Sequence, residues 1–205
     1  MQTYDIKKIH RDLYVPKAGR IELVDVPEFG YLCVDGEGDP NTSDDYRAAV
    51  EALYTVSYAI RFAAKHELDR VHVVAPLEGL WSAHDHTVFT DRAKDQWQWT
   101  MMIHQPDHIT AEMVDAALTA TAKKKPNPAL DLVRLERRAE GLSVQALHVG
   151  SYDDEAPLIA RMHAHAAEHG YALRGKHHEI YLSDPRKVEP AKLKTVLRQP
   201  VESTG

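Results

Sequence analysis

Hydrophobic and polar positions along this chain alternate in some stretches and recur with a helical period in others, so strands and helices are expected in mixed order. Ile21–Val26 alternates as a strand, Pro27-Glu28-Phe29-Gly30 reads as a turn, and Tyr31–Val34 is a second strand ending in the turn-rich Asp35–Pro40. A long helix is expected from near Thr42, where Thr42 and Asp45 have capping-box spacing. Its apolar stripe is Tyr46, Val50, Leu53, Ile60 and Ala64, with Tyr54, Tyr58 and Phe62 as an aromatic flank. Val71–Leu77 and Trp97–Ile103 fit further strands. Thr110 caps a shorter helix running to Lys123-Lys124-Lys125, whose charge suits a helix C-terminus, and Pro126-Asn127-Pro128 is a connector. Leu132–Arg137 and Ser143–Val149 predict a hairpin around Ala139-Glu140-Gly141. Pro157 opens a helix carrying Leu158, Ile159, Met162 and Ala166, and Gly170 closes it. A strand through Glu179-Ile180-Tyr181-Leu182 stops at Ser183-Asp184-Pro185, and Glu189-Pro190 is expected to start a terminal helix. Residues 1–19 read as a polar arm.

Laid end to end, these elements repeat. Strand, Gly-containing turn, acidic cap and amphipathic helix occur at Tyr31–Lys65 and again at Val144–Gly170. The expected class is therefore α+β, with tandem strand–helix–strand–strand modules at about 20–125 and 130–200 inside one domain spanning 1–205. Pseudo-two-fold symmetry of that kind places a ligand cleft along its axis. The insertion after the first helix, through Trp81, His84, His86 and Trp99, would supply walls to one side of it.

Composition narrows the function classes. With 31 acidic against 25 basic residues the chain carries a net charge of −6, which argues against nucleic acid as a partner. Cys33 is the single cysteine, so no internal disulfide and no cysteine-based zinc site can form, and its place in a strand reads as a small buried hydrophobe. Met1–Lys8 has no apolar core of signal-peptide length, and no apolar run is long enough to span a bilayer. A cytoplasmic protein with no membrane partner is the expectation.

The most informative stretch is Lys176–Pro185. One face of its strand is aliphatic, through Ile180 and Leu182, and should pack under a helix. The other sets Glu179 beside Tyr181 and directs both toward the cleft. Burying an unpartnered polar group costs on the order of 2–7 kcal/mol, so such a face is wet or purposeful. As a cleft carboxylate, Glu179 could neutralise a cationic aromatic ligand or act as a general base, with apolar walls raising its pKa toward neutrality; the alternative is a carboxylate bonded to a neighbouring strand or turn. Tyr152 should sit at the cleft mouth, as a hydrogen-bond donor or as a rim aromatic packed on the following helix. Trp97 and Trp99 alternate on one strand face with Met101 continuing it, a stripe fit to sandwich a planar ligand or to be plain core. Trp81 and Tyr58 are further candidates for an aromatic cage. His84-Asp85-His86 and His165 with His169 have spacings that can ligate zinc, but no third ligand is placed, so neither a metal nor a cofactor is expected. His178 falls on the aliphatic face as a structural histidine.

His148-Val149-Gly150-Ser151-Tyr152-Asp153-Asp154-Glu155, the helix to Gly170-Tyr171, and Glu179-Ile180-Tyr181-Leu182-Ser183-Asp184-Pro185 together resemble the GyrI-like small-molecule-binding family. Trp97-Gln98-Trp99-Thr100, His104-Gln105-Pro106 and Lys176-His177-His178 further resemble a free-standing subgroup that includes cyclopropanoid cyclopropyl hydrolases. The resemblance covers roughly residues 20–200 and implies two tandem modules around an aromatic-lined groove that takes planar aromatic or cationic small molecules. It implies hydrolysis of cyclopropane-bearing electrophiles, with Glu179 as the base, Tyr152 as the donor, and Trp81, Trp99, Tyr58, Tyr181, Trp97 and Met101 as ligand contacts. Members fused to DNA-binding domains instead sense cationic or aromatic drugs; the first nineteen residues are too few for such a domain. Non-catalytic sequestration of lipophilic aromatic cations is the alternative activity.

Overall fold

A computed structural model describes residues 3–83 and 97–205; the His84 and His86 metal reading lies outside the described residues. Among the described residues there are five α-helices and seven strands, the expected α+β class. No helix among them is long and apolar enough to cross a membrane. The chain forms two compact units: one from Phe29–Arg138 with the N-terminal residues through Ile6, the other from Lys7–Glu28 and Ala139–Gly205. Two long strands, β1 (Ile21–Glu37) and β4 (Arg134–Val149), contribute residues to both.

In the first unit, Gly30–Glu37 of β1 pairs antiparallel with Gln98–Gln105 of β3 (Trp97–Gln105), and β3 pairs in turn with β2 (Leu77–Ala83). Helix α3 (Asp44–Glu67) is capped by Ser43, whose Oγ accepts from Tyr46 N at 3.1 Å, rather than by the expected Thr42. Its buried face runs Ala49, Ala52, Leu53, Val56, Ser57, Ile60 and Ala64, a three–four spacing that lays small and aliphatic side chains against β3. Thr110 caps α4 (Ala111–Lys124) as expected. The strand expected at Val71–Leu77 begins only at Leu77; upstream, His72 makes an isolated bridge to Tyr4.

In the second unit, β7 (Lys194–Ser203) is the central strand. It pairs antiparallel with β4 through Ser143–Val149, with β6 (His177–Tyr181) and with β5 (Tyr171–Leu173). Helix α5 (Ala156–Glu168) lays Met162 and Ala166 onto Val144, Ala146, Leu197 and Val201. On the opposite face Arg198, only 1% exposed at its side chain, reaches Glu140 (3.2 Å), Gln145 (3.1 Å) and the carbonyl of Leu13 (2.7 Å). His178 completes this buried network, 3.0 Å from Glu140, and is the structural histidine expected.

Four expectations fail here, each for a physical reason. Pro27 does not break β1, which runs through it, and antiparallel pairing with β3 begins past it at Gly30, so that ladder does not need its missing N–H. The segment Ala139-Glu140-Gly141 is not a hairpin turn: Glu140 is the buried anion of the network, and Gly141 absorbs the irregular backbone with a φ of 69°. The terminal helix is a single 3-10 turn, Pro190–Lys192, followed by β7, whose buried Arg198 and Gln199 disguise a central strand as amphipathic sequence. The polar arm is packed: α1 (Ile6–Ile9) and α2 (Arg11–Tyr14) bury Ile6, Leu13 and Tyr14, and α2 supplies the carbonyls that receive Arg198 and Gln145.

Candidate functional site

The register of β6 on β7 sorts its side chains. Glu179 stands opposite Leu197 and Tyr181 opposite Thr195, so these four share the face that α5 covers. Ile180 and His178 share the other face, with Val196 and Arg198. The sequence placed Ile180 under the amphipathic helix and Glu179 away from it; the structure reverses this, because the Arg198 network, tied to Asp12 and Leu13, claims the Ile180 side. Glu179 therefore lies under the first turn of α5.

Several polar side chains converge there. Tyr181 Oη donates to Glu179 Oε2 at 2.7 Å, and His177 Nε2, on the same strand face, lies 3.6 Å from Glu179 Oε1. Glu155 enters from the residue preceding α5, 4% exposed. Burial first, and then the charge of Glu179, push its carboxyl up to about 9; Thr195 opposes and Asp153 adds to the rise. Glu155 Oε1 and Thr195 Oγ1, though near each other, complete no hydrogen bond, and neither do the ring nitrogens of His177 nor Nε2 of His163 on α5. Burial and the neighbouring His177 lower the pKa of His163. The Tyr152 ring, 40% exposed on a one-turn 3-10 helix, meets the Tyr181 ring edge-on at 5.6 Å. The arrangement offers a carboxylate fixed by a phenol, a second carboxyl that burial disposes to hold its proton, and aromatic edges: a candidate base and a cation-compatible wall within one unit.

Glu179, Tyr181 and Tyr152 are thus brought together. Sequence reasoning missed Glu155, Thr195, His177 and His163. The signal for His177 was present, since it alternates with Glu179 and Tyr181 on one strand face. Glu155 precedes a proline-opened helix and reads as a cap, but its side chain makes no capping hydrogen bond.

The tryptophans gather in the first unit, on the β2–β3 face that α3 covers. Trp81 pairs with Trp99 across the strands, and its ring meets Trp97 edge-on at 5.5 Å. From α3 the aromatic that joins them is Tyr46, stacked on Trp81 (6.4 Å) and edge-on to Trp99 (5.3 Å). Tyr58 points outward, 48% exposed, and Met101 is wholly buried. Trp99, 2% exposed, lies across Gly36 of β1, where any Cβ would fall into its six-membered ring. Among the described residues no three His, Cys, Asp or Glu side chains converge as metal ligands; the His165 and His169 rings lie 4.1 Å apart, and His169 Nδ1 pairs with the His165 carbonyl at 2.7 Å.

Comparison with known proteins gives this geometry a setting. A crystal structure of an uncharacterized conserved protein from Listeria innocua is 40% identical over 98% of this chain and 100% of that one, with a TM-score of 0.91. A hydrolase from Listeria innocua is 39% identical over the same shares, with a TM-score of 0.86. The EcmrR C-terminal domain, 12% identical over 90% of this chain and 98% of its own, shares the fold at a TM-score of 0.57. No curated protein matches the chain. The model of the GyrI-like small molecule binding domain matches residues 20–202, and the chain belongs to that family.

Proposed function

We propose that this protein binds planar, electrophilic aromatic molecules and hydrolyses them, opening a strained ring such as a cyclopropane conjugated to a carbonyl. The observation that carries this reading is the half-buried Glu179 carboxylate, held by Tyr181 at 2.7 Å and set near Glu155, whose buried carboxyl is pushed up to about 9. Identity of 39% over nearly the whole chain to a hydrolase from Listeria innocua supports it. Glu179 takes a proton from water; the hydroxyl oxygen bonds to the strained ring carbon; the ring carbon–carbon bond breaks, and its electron pair passes into the conjugated carbonyl. The Tyr152 phenol protonates that oxygen and recovers its proton from Glu179 through solvent, which closes the cycle without a metal. Such an enzyme would protect a cell from alkylation.

The test is incubation with a cyclopropane-bearing dienone alkylator and chromatographic detection of the ring-opened alcohol. Turnover that Glu179→Gln abolishes supports the assignment; no turnover above buffer, or full turnover by that variant, overturns it. A second reading, binding of lipophilic cations without chemistry, draws on the Tyr152 and Tyr181 rings that flank the Glu179 charge. Saturable binding of tetraphenylphosphonium, lost in Glu179→Gln, with no product from the dienone, would favour it.

A further inference from the structure

We propose that Glu155 is the proton-bearing half of an acid pair with Glu179, a positioning residue whose carboxylic acid faces that carboxylate and keeps it the charged base of the site. The inference deepens the function proposed above and rests on Glu179 being its working carboxylate.

Geometry decides which partner keeps the proton. Two carboxyl groups side by side in a dry setting cannot both ionise, so one proton is retained between them. Glu179 accepts a hydrogen bond from the Tyr181 phenol at 2.7 Å, whereas no such donor reaches Oε1 of Glu155. Glu155 Oε1 has no hydrogen-bond partner, and a charge at 4% exposure there would be opposed by burial and by Glu179 with only Thr195 to favour it. The proton therefore belongs to Glu155.

The groups facing Glu155 agree. Glu179 of β6, Thr195 of β7 and Asp153 of its own turn act on it directly; Tyr181 and His177 contact Glu179, His163 of α5 neighbours His177, and His148 of β4 stands opposite Thr195. None of these is an arginine or lysine. The position itself would normally reward a charge, since a carboxylate preceding a helix accepts backbone N–H groups and meets the positive end of the dipole. Glu155 makes no such bond, so its side chain is turned from the helix it precedes toward Glu179. An isosteric amide reproduces the neutral acid and should serve almost as well.

The experiment compares wild type, Glu155→Gln, Glu155→Ala and Glu179→Gln by two readouts. Carbon-13 NMR of glutamate carboxyls should show one resonance titrating well above the ordinary carboxyl range, absent in Glu155→Gln and shifted downward in Glu179→Gln. Turnover of the cyclopropane dienone should survive Glu155→Gln within about 3-fold at pH 7, fall at least about 10-fold in Glu155→Ala, and vanish in Glu179→Gln. Wild type should lose activity at alkaline pH as Glu155 ionises, and Glu155→Gln should not. A high-titrating resonance that persists in Glu155→Gln overturns the pair, and so does a Glu155→Gln enzyme as inactive as Glu179→Gln. If wild type itself fails to turn over the dienone, the hydrolytic reading falls, and the NMR titration alone decides the pair.

Discussion

Replacing Glu155 with Gln should stabilise the protein near neutral pH, although it alters a buried side chain at the centre of the candidate site. In the folded chain burial first, and the Glu179 charge second, push the Glu155 carboxyl from 4.5 up to about 9. Below the ordinary value, folded and unfolded chains both hold the proton, and the group contributes nothing to the pH dependence. As pH rises from there, the unfolded chain releases its proton while the folded one keeps it, so stability falls until the folded value is reached. Each pH unit is worth about 1.4 kcal/mol, and two and a half units separate the ordinary carboxyl value from pH 7, which sets a ceiling of ~3 kcal/mol. The amide is slightly less well accommodated than the acid, so a gain of ~2 kcal/mol at pH 7, and close to none at pH 4.5, is expected for Glu155→Gln. Urea unfolding followed by circular dichroism at pH 5 and pH 7.5 measures it, as a difference between variant and wild type that grows with pH. A variant less stable than wild type at pH 7.5, or a difference that does not change with pH, would refute the reasoning, because either would mean that Glu155 is ionised and compensated in the fold.

Three further outcomes follow from the same contacts. Tyr181→Phe removes the donor to Glu179, a charge-assisted bond worth ~1.5–3 kcal/mol, and should cut dienone turnover or cation binding at least about ten-fold while leaving the melting temperature within a few degrees. Arg198→Met strips Glu140 of its buried guanidinium and should cost ~3–5 kcal/mol by urea unfolding, with part recovered in the Arg198→Met/Glu140→Gln double variant. Gly36→Ala drives a methyl group into the ring of Trp99 and should cost ~1–3 kcal/mol, seen as a lower melting temperature and an altered near-ultraviolet tryptophan signal.

The parts of the fold legible in the sequence were those where packing and local pattern agree. The stripe Leu53, Ile60 and Ala64, the Thr110 cap, and the helix opened by Pro157 all stand as the 3.6 period and cap chemistry imply. The pattern failed where a buried polar residue imitates solvent exposure. Glu140 looks like a turn and is a core anion; Arg198 and Gln199 look like a helix surface and lie in the middle of β7. Half of the site was legible for a related reason. Glu179 and Tyr181 stand out because a carboxylate and a phenol alternate with aliphatic residues, whereas Glu155 hides as a helix-preceding acid, an ordinary place for one. Only the fold shows that its side chain is not used as a cap.

Two buried glutamates of the second unit have opposite fates, and the contrast separates structure from chemistry. Burial alone would raise both. At Glu140 the charge and hydrogen bond of His178, then those of Arg198, overcome that penalty and hold the carboxyl at about 2. Its carboxylate therefore stays charged across the physiological range, and its ion pair with Arg198 is lost only as pH falls toward 2. At Glu155 no cation answers, and the nearest charge is another carboxylate, so the proton stays. A chain that can place Arg198 and His178 around one buried acid has the means to neutralise a second. Leaving Glu155 protonated against Glu179, 4% exposed and with one oxygen unbonded, sacrifices stability that Glu155→Gln should recover. Stability given up at one conspicuous place, beside a carboxylate held at 2.7 Å by a phenol, is what the proposed proton-transfer site requires and a purely structural carboxyl does not.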